Sequence, residues 1–329
     1  MRTNNPSRID AFVLGTGVCG LTSGVCLAEA GLSVAVQAAE PPLETTSAVA
    51  GALWGTHLVG HDERVAGWAE QTRAMLTELG NPAGAHVARG LMAVKVPHDT
   101  PPEAAEGSDL SEFEPCPPAE LPAGYVSGWR VTAPLVSMPV FLGYLRDRLA
   151  AAGGQFLPPR TFTTLAEAAQ HSTAPVLVNC PGVGARTLVP DSSVTPVRGQ
   201  VVIVANPGLT DFFVGNGADP GDLTYFFPHG DTIVLGGTQE HGNPSREPDP
   251  AIAERIIAAC TTVEPRLTGA AILRHQAGLR PARPLVRLET ETLPGGRHVV
   301  HNYGHGGAGV SLSWGCAMDV TKRVLAALS

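Results

Sequence analysis

Arginine is the side chain that grips a carboxylate through two parallel N–H donors, and this 329-residue chain puts three in one short stretch: Arg280, Arg283 and Arg287, within GLRPARPLVRLE at 278–289. Pro281 and Pro284 stiffen the backbone on either side. Composition alone leaves all three open as a carboxylate clamp, with surface pairing to Glu289 or Glu291 as the other use. Tyr225, in LTYFFP at 223–228, has two readings as well. Beside Phe226 and Phe227 it is either core packing with its hydroxyl bonded to backbone, or the polar handle of a pocket. The remaining chemistry lies with glycines. Gly15, Gly17 and Gly20 form a GxGxxG string in which Val18 opens the next element, and HNYGHGGAGVSLSWG at 301–315 carries Gly304, Gly306, Gly307, Gly309 and Gly315 together with Ser311. Glycines at that density expose backbone amides and admit the close approach of a large anionic ligand.

The elements that must hold these residues follow from periodicity. Residues 9–14 read as a buried strand, a helix runs from the glycine string to about Ala30, Gly31 stops it, and residues 32–36 form a second strand. That strand–turn–helix–strand context turns GxGxxG into a dinucleotide fingerprint. At the other end, 302–315 has too many glycines for a helix or an ordinary strand, and 316–328 reads as a helix whose N-terminus points back at them. Two distant cradles call for a cofactor long enough to touch both, which suits FAD better than NAD. Between them, 138–152 reads as an amphipathic helix ended by Gly153 and Gly154, and 176–180 as a parallel strand leading to a turn at Gly182 and Gly184. Residues 198–205, 225–227, 232–236 and 285–289 read as strands of a second sheet, and the proline-rich acidic segment 97–122 as surface loop. The fold class is α/β, α+β overall.

Gross features narrow the function. A net charge of −8 without a basic cluster argues against nucleic acid or an anionic membrane as partner. No apolar run approaches a membrane span, and the first apolar stretch contains Asp10 and leads into the glycine string, unlike a signal peptide. Six cysteines show no metal-ligand spacing, and none of the eleven histidines has the HxH or HExxH pattern, so no metal is expected. Cytoplasm and a bacterial origin are the expectations, and a homodimer is compatible with the sequence.

Seven strings in order, GTGVCGL at 15–21, TTSAVAGALW at 45–54, VNCPGVGARTL at 178–188, VRGQ at 197–200, LTYFFP, GLRPARPLVRLE and HNYGHGGAGVSLSWGCA at 301–317, resemble the bacterial-type D-amino-acid oxidase family of FAD-dependent oxidoreductases. The resemblance implies a Rossmann-like FAD-binding domain from residues 1–56, 138–193 and 290–329. It implies a mostly antiparallel substrate-binding domain from 57–137 and 194–289. It assigns the substrate carboxylate to Arg280 and Tyr225, the pyrophosphate to Gly15, Gly17, Val18 and Gly20, and the ribityl chain and N5 side of the flavin to Thr45, Thr46, Gly51, Ala52 and Leu53. Gly182 joins the cofactor set, and Gly304, Gly306, Gly307, Gly309 and Ser311 are given the pyrimidine end. His305, inside that cradle, is expected to be a structural hydrogen-bonder and not a base.

Two departures stand out. Gln37 occupies the place of the acid that usually binds the adenosine ribose, so it accepts hydroxyl hydrogen bonds without charge assistance, and Gln37→Glu is expected to tighten FAD binding. Residues 215–222 lack the tyrosine that many relatives bring over the pocket, which leaves the side-chain preference open. The implied activity is oxidative deamination of a D-amino acid, with oxygen as acceptor and hydrogen peroxide as product. Glycine, a secondary amine or a carboxylated pathway intermediate is the alternative substrate, and a non-catalytic flavin-fold binding protein the third reading.

Overall fold

The computed structural model describes residues 8–56, 58–60, 62–99, 113–216 and 223–329, so part of the 97–122 segment and most of the 215–222 segment lie outside the described residues. The chain runs β1 (Ala11–Leu14), α1 (Val18–Glu29), β2 (Val34–Gln37), the single turn α2 (Thr46–Val49), α3 (Glu63–Leu79), β3 (Ala85–Val94), β4 (Glu114–Pro115) and β5 (Ser127–Val136). It continues with α4 (Met138–Ala151), β6 (Gln155–Phe156), α5 (Leu165–His171), β7 (Val176–Asn179), the short α6 (Ala185–Leu188), β8 (Thr195–Ala205), β9 (Phe212–Asn216), β10 (Leu223–His229) and β11 (Thr232–Gly236). The last elements are β12 (Glu240–His241), α7 (Pro250–Val263), β13 (Ile272–Ala282), β14 (Arg287–Thr292), β15 (His298–Tyr303) and α8 (Gly309–Ala327).

Six strands form one sheet in the order β14-β15-β7-β1-β2-β6, parallel except where β14 folds back on β15. β1, β2 and β7 are buried along their whole length, as uninterrupted apolar runs in a parallel sheet covered on both faces must be. β1 is flanked by β2 and β7, so the order reverses there and opens a crevice at the carboxyl ends of these strands. Gly15 closes β1 at φ +117°, where a Cβ would stand 2.2 Å from the Cys180 carbonyl oxygen. Only glycine lets the chain turn this tightly against β7.

Three readings of the sequence are corrected here. The glycine-rich stretch 302–315 is mostly regular: β15 extends to Tyr303, α8 starts at Gly309, and only 304–308 is irregular. Gly315 sits inside α8 because a Cβ would fall 2.4 Å from the Trp68 backbone, so it marks a close helix crossing and not a loop. Second, residues 287–289 belong to β14 in the parallel sheet, with Leu288 buried in the core shared with Val300. Third, α3, expected with the substrate-binding piece 57–137, packs on α8 in the core of the parallel sheet. Its buried residues Val65, Trp68, Ala69, Thr72 and Leu76 make a single stripe at helical spacing.

The second sheet has nine strands and is antiparallel apart from the β3–β9 pair. β8 is its hub: β13 pairs along nearly all of it, β11 along its second half and β12 near its start. Alternation sorts the side chains. Phe226, Val202, Val204 and Leu235 face α7 and its Ile256 and Cys260, whereas Tyr225, Phe227, Val201 and Val131 gather in a cluster on the opposite face.

Candidate functional site

The crevice of the parallel sheet and the apolar face of the antiparallel sheet enclose one cavity of about 1440 Å³. Ordinary small-molecule pockets measure roughly 300–1,000 Å³, so this one holds a dinucleotide with a second small molecule beside it. Gly15, Gly17, Val18, Gly20, Gln37, Thr45, Thr46, Gly51, Ala52, Leu53, Gly182, Tyr225, Arg280, Gly306, Gly307, Gly309 and Ser311 all line it. Gly304 does not. Its φ of +83° and the approach of Arg283 Cδ, 2.8 Å from where a Cβ would be, make it a turn glycine packed under Arg283.

At the fingerprint end, Gly17 to Gly20 of the first turn of α1 line the cavity, and the Ser47 hydroxyl accepts from Val18 N at 3.0 Å, which leaves the N–H groups of Cys19 and Gly20 as the helix start's unpaired donors. Ser47 was not singled out in the sequence, because its hydroxyl, inside the single turn α2, serves a helix start 29 residues away and leaves no local signal. Gln37 is buried, and its Nε2 donates to the Pro158 carbonyl at 2.7 Å while its Oε1 has no protein partner. A buried, unpaired amide oxygen on a cavity wall is an acceptor awaiting a donor. Arg246 crosses from the loop before α7 to Glu40 and to the Glu44 carbonyl at the rim of this end.

At the opposite end, Arg280 on β13 donates from Nη1 to the Thr238 carbonyl at 3.0 Å and has no carboxylate within ion-pair distance among the described residues. The other two arginines are occupied. Arg283 pairs with Asp191, and Arg287 with Glu289, Glu291 and the Tyr303 hydroxyl. Two glycines that sequence reasoning passed over make room for the pair of site residues. The Arg280 guanidinium lies across Gly199 of β8, where a Cβ would stand 2.2 Å from Nη1, and the Tyr225 ring lies across Gly236 of β11, 1.9 Å from its would-be Cβ. Tyr225 stacks on Phe227 with centroids 4.5 Å apart. Burial pushes its hydroxyl pKa up, against a smaller opposing pull from Arg280, so it stays protonated and able to donate. Among the described residues, Met92, Phe113, Val131, Val201, Val214 and Leu223 cluster with Tyr225 and put apolar side chains on the cavity wall.

The third wall is the 304–308 turn and the first turn of α8. The Ser311 hydroxyl accepts from Gly55 N at 3.0 Å and so ties α8 to the 51–55 segment. His305 has no exposed nitrogen to work with. Its Nε2 donates to Asn302 Oδ1 at 3.1 Å, Asn302 Nδ2 donates to Ser23 Oγ, Ser23 donates to the Cys19 carbonyl, and Cys19 Sγ meets His305 Nδ1 at 3.6 Å. Burial lowers the His305 pKa to about 4, so the ring is neutral and the circuit fixes its tautomer.

The model of the FAD dependent oxidoreductase family matches residues 10–323. The chain belongs to that family. It is 48% identical over 319 residues to a D-amino-acid oxidase of Rubrobacter xylanophilus, covering 97% of both chains, and 43% identical to one of Streptomyces coelicolor, covering 95% of this chain and 96% of that one. The fold is that of a glycine oxidase from Bacillus cereus, with a TM-score of 0.77 at 17% identity over 97% of this chain and 95% of that one.

The cofactor of this oxidoreductase is FAD, and the residues present fit it. The orphan Oε1 of Gln37 suits a ribose hydroxyl, and the first-turn amides of α1 suit a pyrophosphate. At Gly306 a Cβ would lie 1.8 Å from the Leu58 carbonyl, so the turn under the far end of the cavity keeps its shape only with glycine. Among the described residues no group of histidine, cysteine and acidic side chains could hold a metal ion, and no helix is long and apolar enough to cross a membrane.

Proposed function

We propose that this flavoenzyme oxidises D-amino acids with apolar side chains. The net reaction consumes the amino acid, oxygen and water and yields the 2-oxo acid, ammonia and hydrogen peroxide. The observation that carries the reading is Arg280, a guanidinium held in place by Thr238 and free of any acid among the described residues, next to the protonated Tyr225 and facing apolar walls. The two curated relatives, D-amino-acid oxidases by name, support the same reaction.

Bound FAD supplies the electron acceptor. Arg280 anchors the substrate carboxylate with two parallel hydrogen bonds, and Tyr225 adds a third donor. The Thr238 carbonyl fixes the guanidinium before substrate arrives, so little ordering remains to be done on binding. Val201, Val214 and Leu223 exclude water and favour an apolar side chain, because an acidic one would lie buried among them without a partner. The parallel sheet with α1, α3, α4 and α8 acts as the FAD-binding domain and the antiparallel sheet with α7 as the substrate-binding domain, and the enzyme works in the cytoplasm.

The test is peroxide release by the FAD-loaded enzyme across D- and L-amino acids, glycine and N-substituted amines. D-isomers with apolar side chains should lead in kcat/KM, and D-aspartate should trail by about tenfold or more. Turnover led by an L-amino acid, by glycine or by a secondary amine would overturn the reading, and so would a protein that releases no peroxide with any of them.

A further inference from the structure

The irregular segment 51–53 runs along the cavity beside the Tyr225 and Phe227 rings, and a Cβ on Gly51 would come within 2.6 Å of Phe227. None of the N–H groups of Gly51, Ala52 and Leu53 donates to a protein acceptor among the described residues. Ala52 is held at φ +59°, in the left-handed region that a residue with a Cβ adopts only at a steric cost. A strained, unpaired backbone on a cavity wall persists only where its surroundings impose it.

His229, at the end of β10 and itself off the cavity wall, holds the Gly51 side of this segment, while the Val136 N–H, donating to the Ala52 carbonyl at 3.0 Å, holds the other side. Its Nε2 lies 3.2 Å from the Gly51 carbonyl oxygen. A carbonyl only accepts, so Nε2 carries the proton, and Nδ1 is left as a buried lone pair without a protein partner. The Gly51–Ala52 peptide is trans, and in a trans peptide the N–H points opposite to the C=O. Holding the carbonyl toward β10 therefore turns the Ala52 N–H the other way, into the cavity.

We propose that His229 is a positioning residue that acts through the Gly51–Ala52 peptide, presenting the Ala52 N–H to the flavin beside Tyr225. It rests on FAD occupying this cavity and not on the choice of amino-acid substrate. Nothing in the ring touches substrate, and burial keeps the imidazole neutral, with a pKa lowered to about 4, so the same donor serves across the neutral range. His86, edge-on to His229 at 6.2 Å between centroids, completes the packing.

The test compares FAD-loaded parent, His229→Phe, which keeps a ring but loses the donor, and His229→Gln, whose side-chain amide can reach the same carbonyl. One hydrogen bond of roughly 1.4 kcal/mol corresponds to about tenfold. His229→Phe should lower kcat about tenfold with KM within about threefold, weaken FAD binding about tenfold, and shift the visible flavin spectrum and midpoint potential. His229→Gln should return all four toward the parent. If His229→Phe fails to fold, His229→Asn, whose amide falls short of Gly51, takes its place with the same expectations. Parental flavin spectrum, potential and FAD affinity in a folded donor-less variant would overturn the proposal, as would a change confined to thermal stability or KM. Flavin affinity and spectrum decide the role of His229 even if the parent fails to oxidise D-amino acids, an outcome that would sink only the substrate reading.

Discussion

Arg280 differs from its neighbours Arg283 and Arg287 by what it lacks, since each of the others already has an acid. Removing it should leave a substrate carboxylate unpaired in a partly dry site, a cost of roughly 3–5 kcal/mol that corresponds to a fall in kcat/KM of about two to nearly four powers of ten. Arg280→Lys should recover only part, because the charge returns without the two parallel donors. Steady-state kinetics on FAD-saturated variants, with Arg287→Ala as the control that does not touch the cavity, checks this; near-parental turnover by Arg280→Ala would remove the clamp. Gln37 leads to a revised expectation. From sequence, Gln37→Glu should tighten FAD binding, but Gln37 Nε2 already donates to the Pro158 carbonyl, and a carboxylate there would set oxygen against oxygen. Gln37→Glu is therefore expected to bind FAD no better than the parent at pH 7.5 and to lose roughly 1–3 kcal/mol of stability. Both are read from FAD titration of the apoprotein and urea unfolding, and the deficit should shrink at acid pH as the new carboxyl takes up a proton and becomes a donor.

Between elements, the crossing of α3 and α8 is set by Gly315 and by Thr72, whose hydroxyl accepts from the N–H groups of Trp314 and Gly315. A methyl group at Gly315 has nowhere to go, because its neighbours are Trp68 backbone atoms and not a flexible side-chain tip. Gly315→Ala should cost at least roughly 1–3 kcal/mol. Gly67 of α3 is the opposite case: nothing lies within 4 Å of its would-be Cβ, so Gly67→Ala should stabilise by roughly 0.5–1 kcal/mol through helix propensity. Urea midpoints of the two variants moving in opposite directions would bear this out, and a neutral Gly315→Ala would show that the helices can slide apart. Because α8 carries Ser311 and the 304–308 turn, the destabilised variant should also hold FAD less tightly.

Burial lowers the pKa of four histidines, His86, His229, His301 and His305, and that makes the stability of the whole molecule depend on pH. His305 and His229 have pKa values lowered to about 4 by burial, with His86 adding to the effect at His229 against the Gly51 hydrogen bond. An unfolded histidine titrates near 6.5, so below that pH the unfolded chain takes up protons that the folded one refuses. The stabilisation is fully present above about pH 6.5 and is lost as the pH falls toward about 4, roughly 2–4 kcal/mol for each of His229 and His305. Asp191 acts lower on the scale. Burial pushes its carboxyl up, but hydrogen bonds from Ser193, Tyr303 and Arg283 outweigh it and hold it below the usual range, so its contribution persists above about pH 4 and fades only in stronger acid. Unfolding free energies of the FAD-loaded enzyme between pH 4 and 7.5 should show this slope, and His229→Gln should flatten it in part; a flat profile in the parent would mean that these rings are open to water.

Local sequence determined the parts of this protein that are short-range. The βαβ unit with Gly15, Gly17 and Gly20, the helix ended at Gly153, and the three arginines with Tyr225 are all legible because each depends on spacing within a few residues. What sequence could not decide is which glycine serves a turn and which a crossing. Gly304 packs under Arg283, Gly315 against Trp68, and Gly199 and Gly236 under the two site residues, and each of these partners lies 11 or more positions away in the chain. The same holds for the arginines. Their types and spacing are alike, and only the folded arrangement of Asp191, Glu289 and Glu291 occupies two of them and leaves Arg280 to the cavity. His229 is the extreme case, since a histidine ending a strand has no local signal at all, and its bond to Gly51 exists only because two sheets close over one cavity.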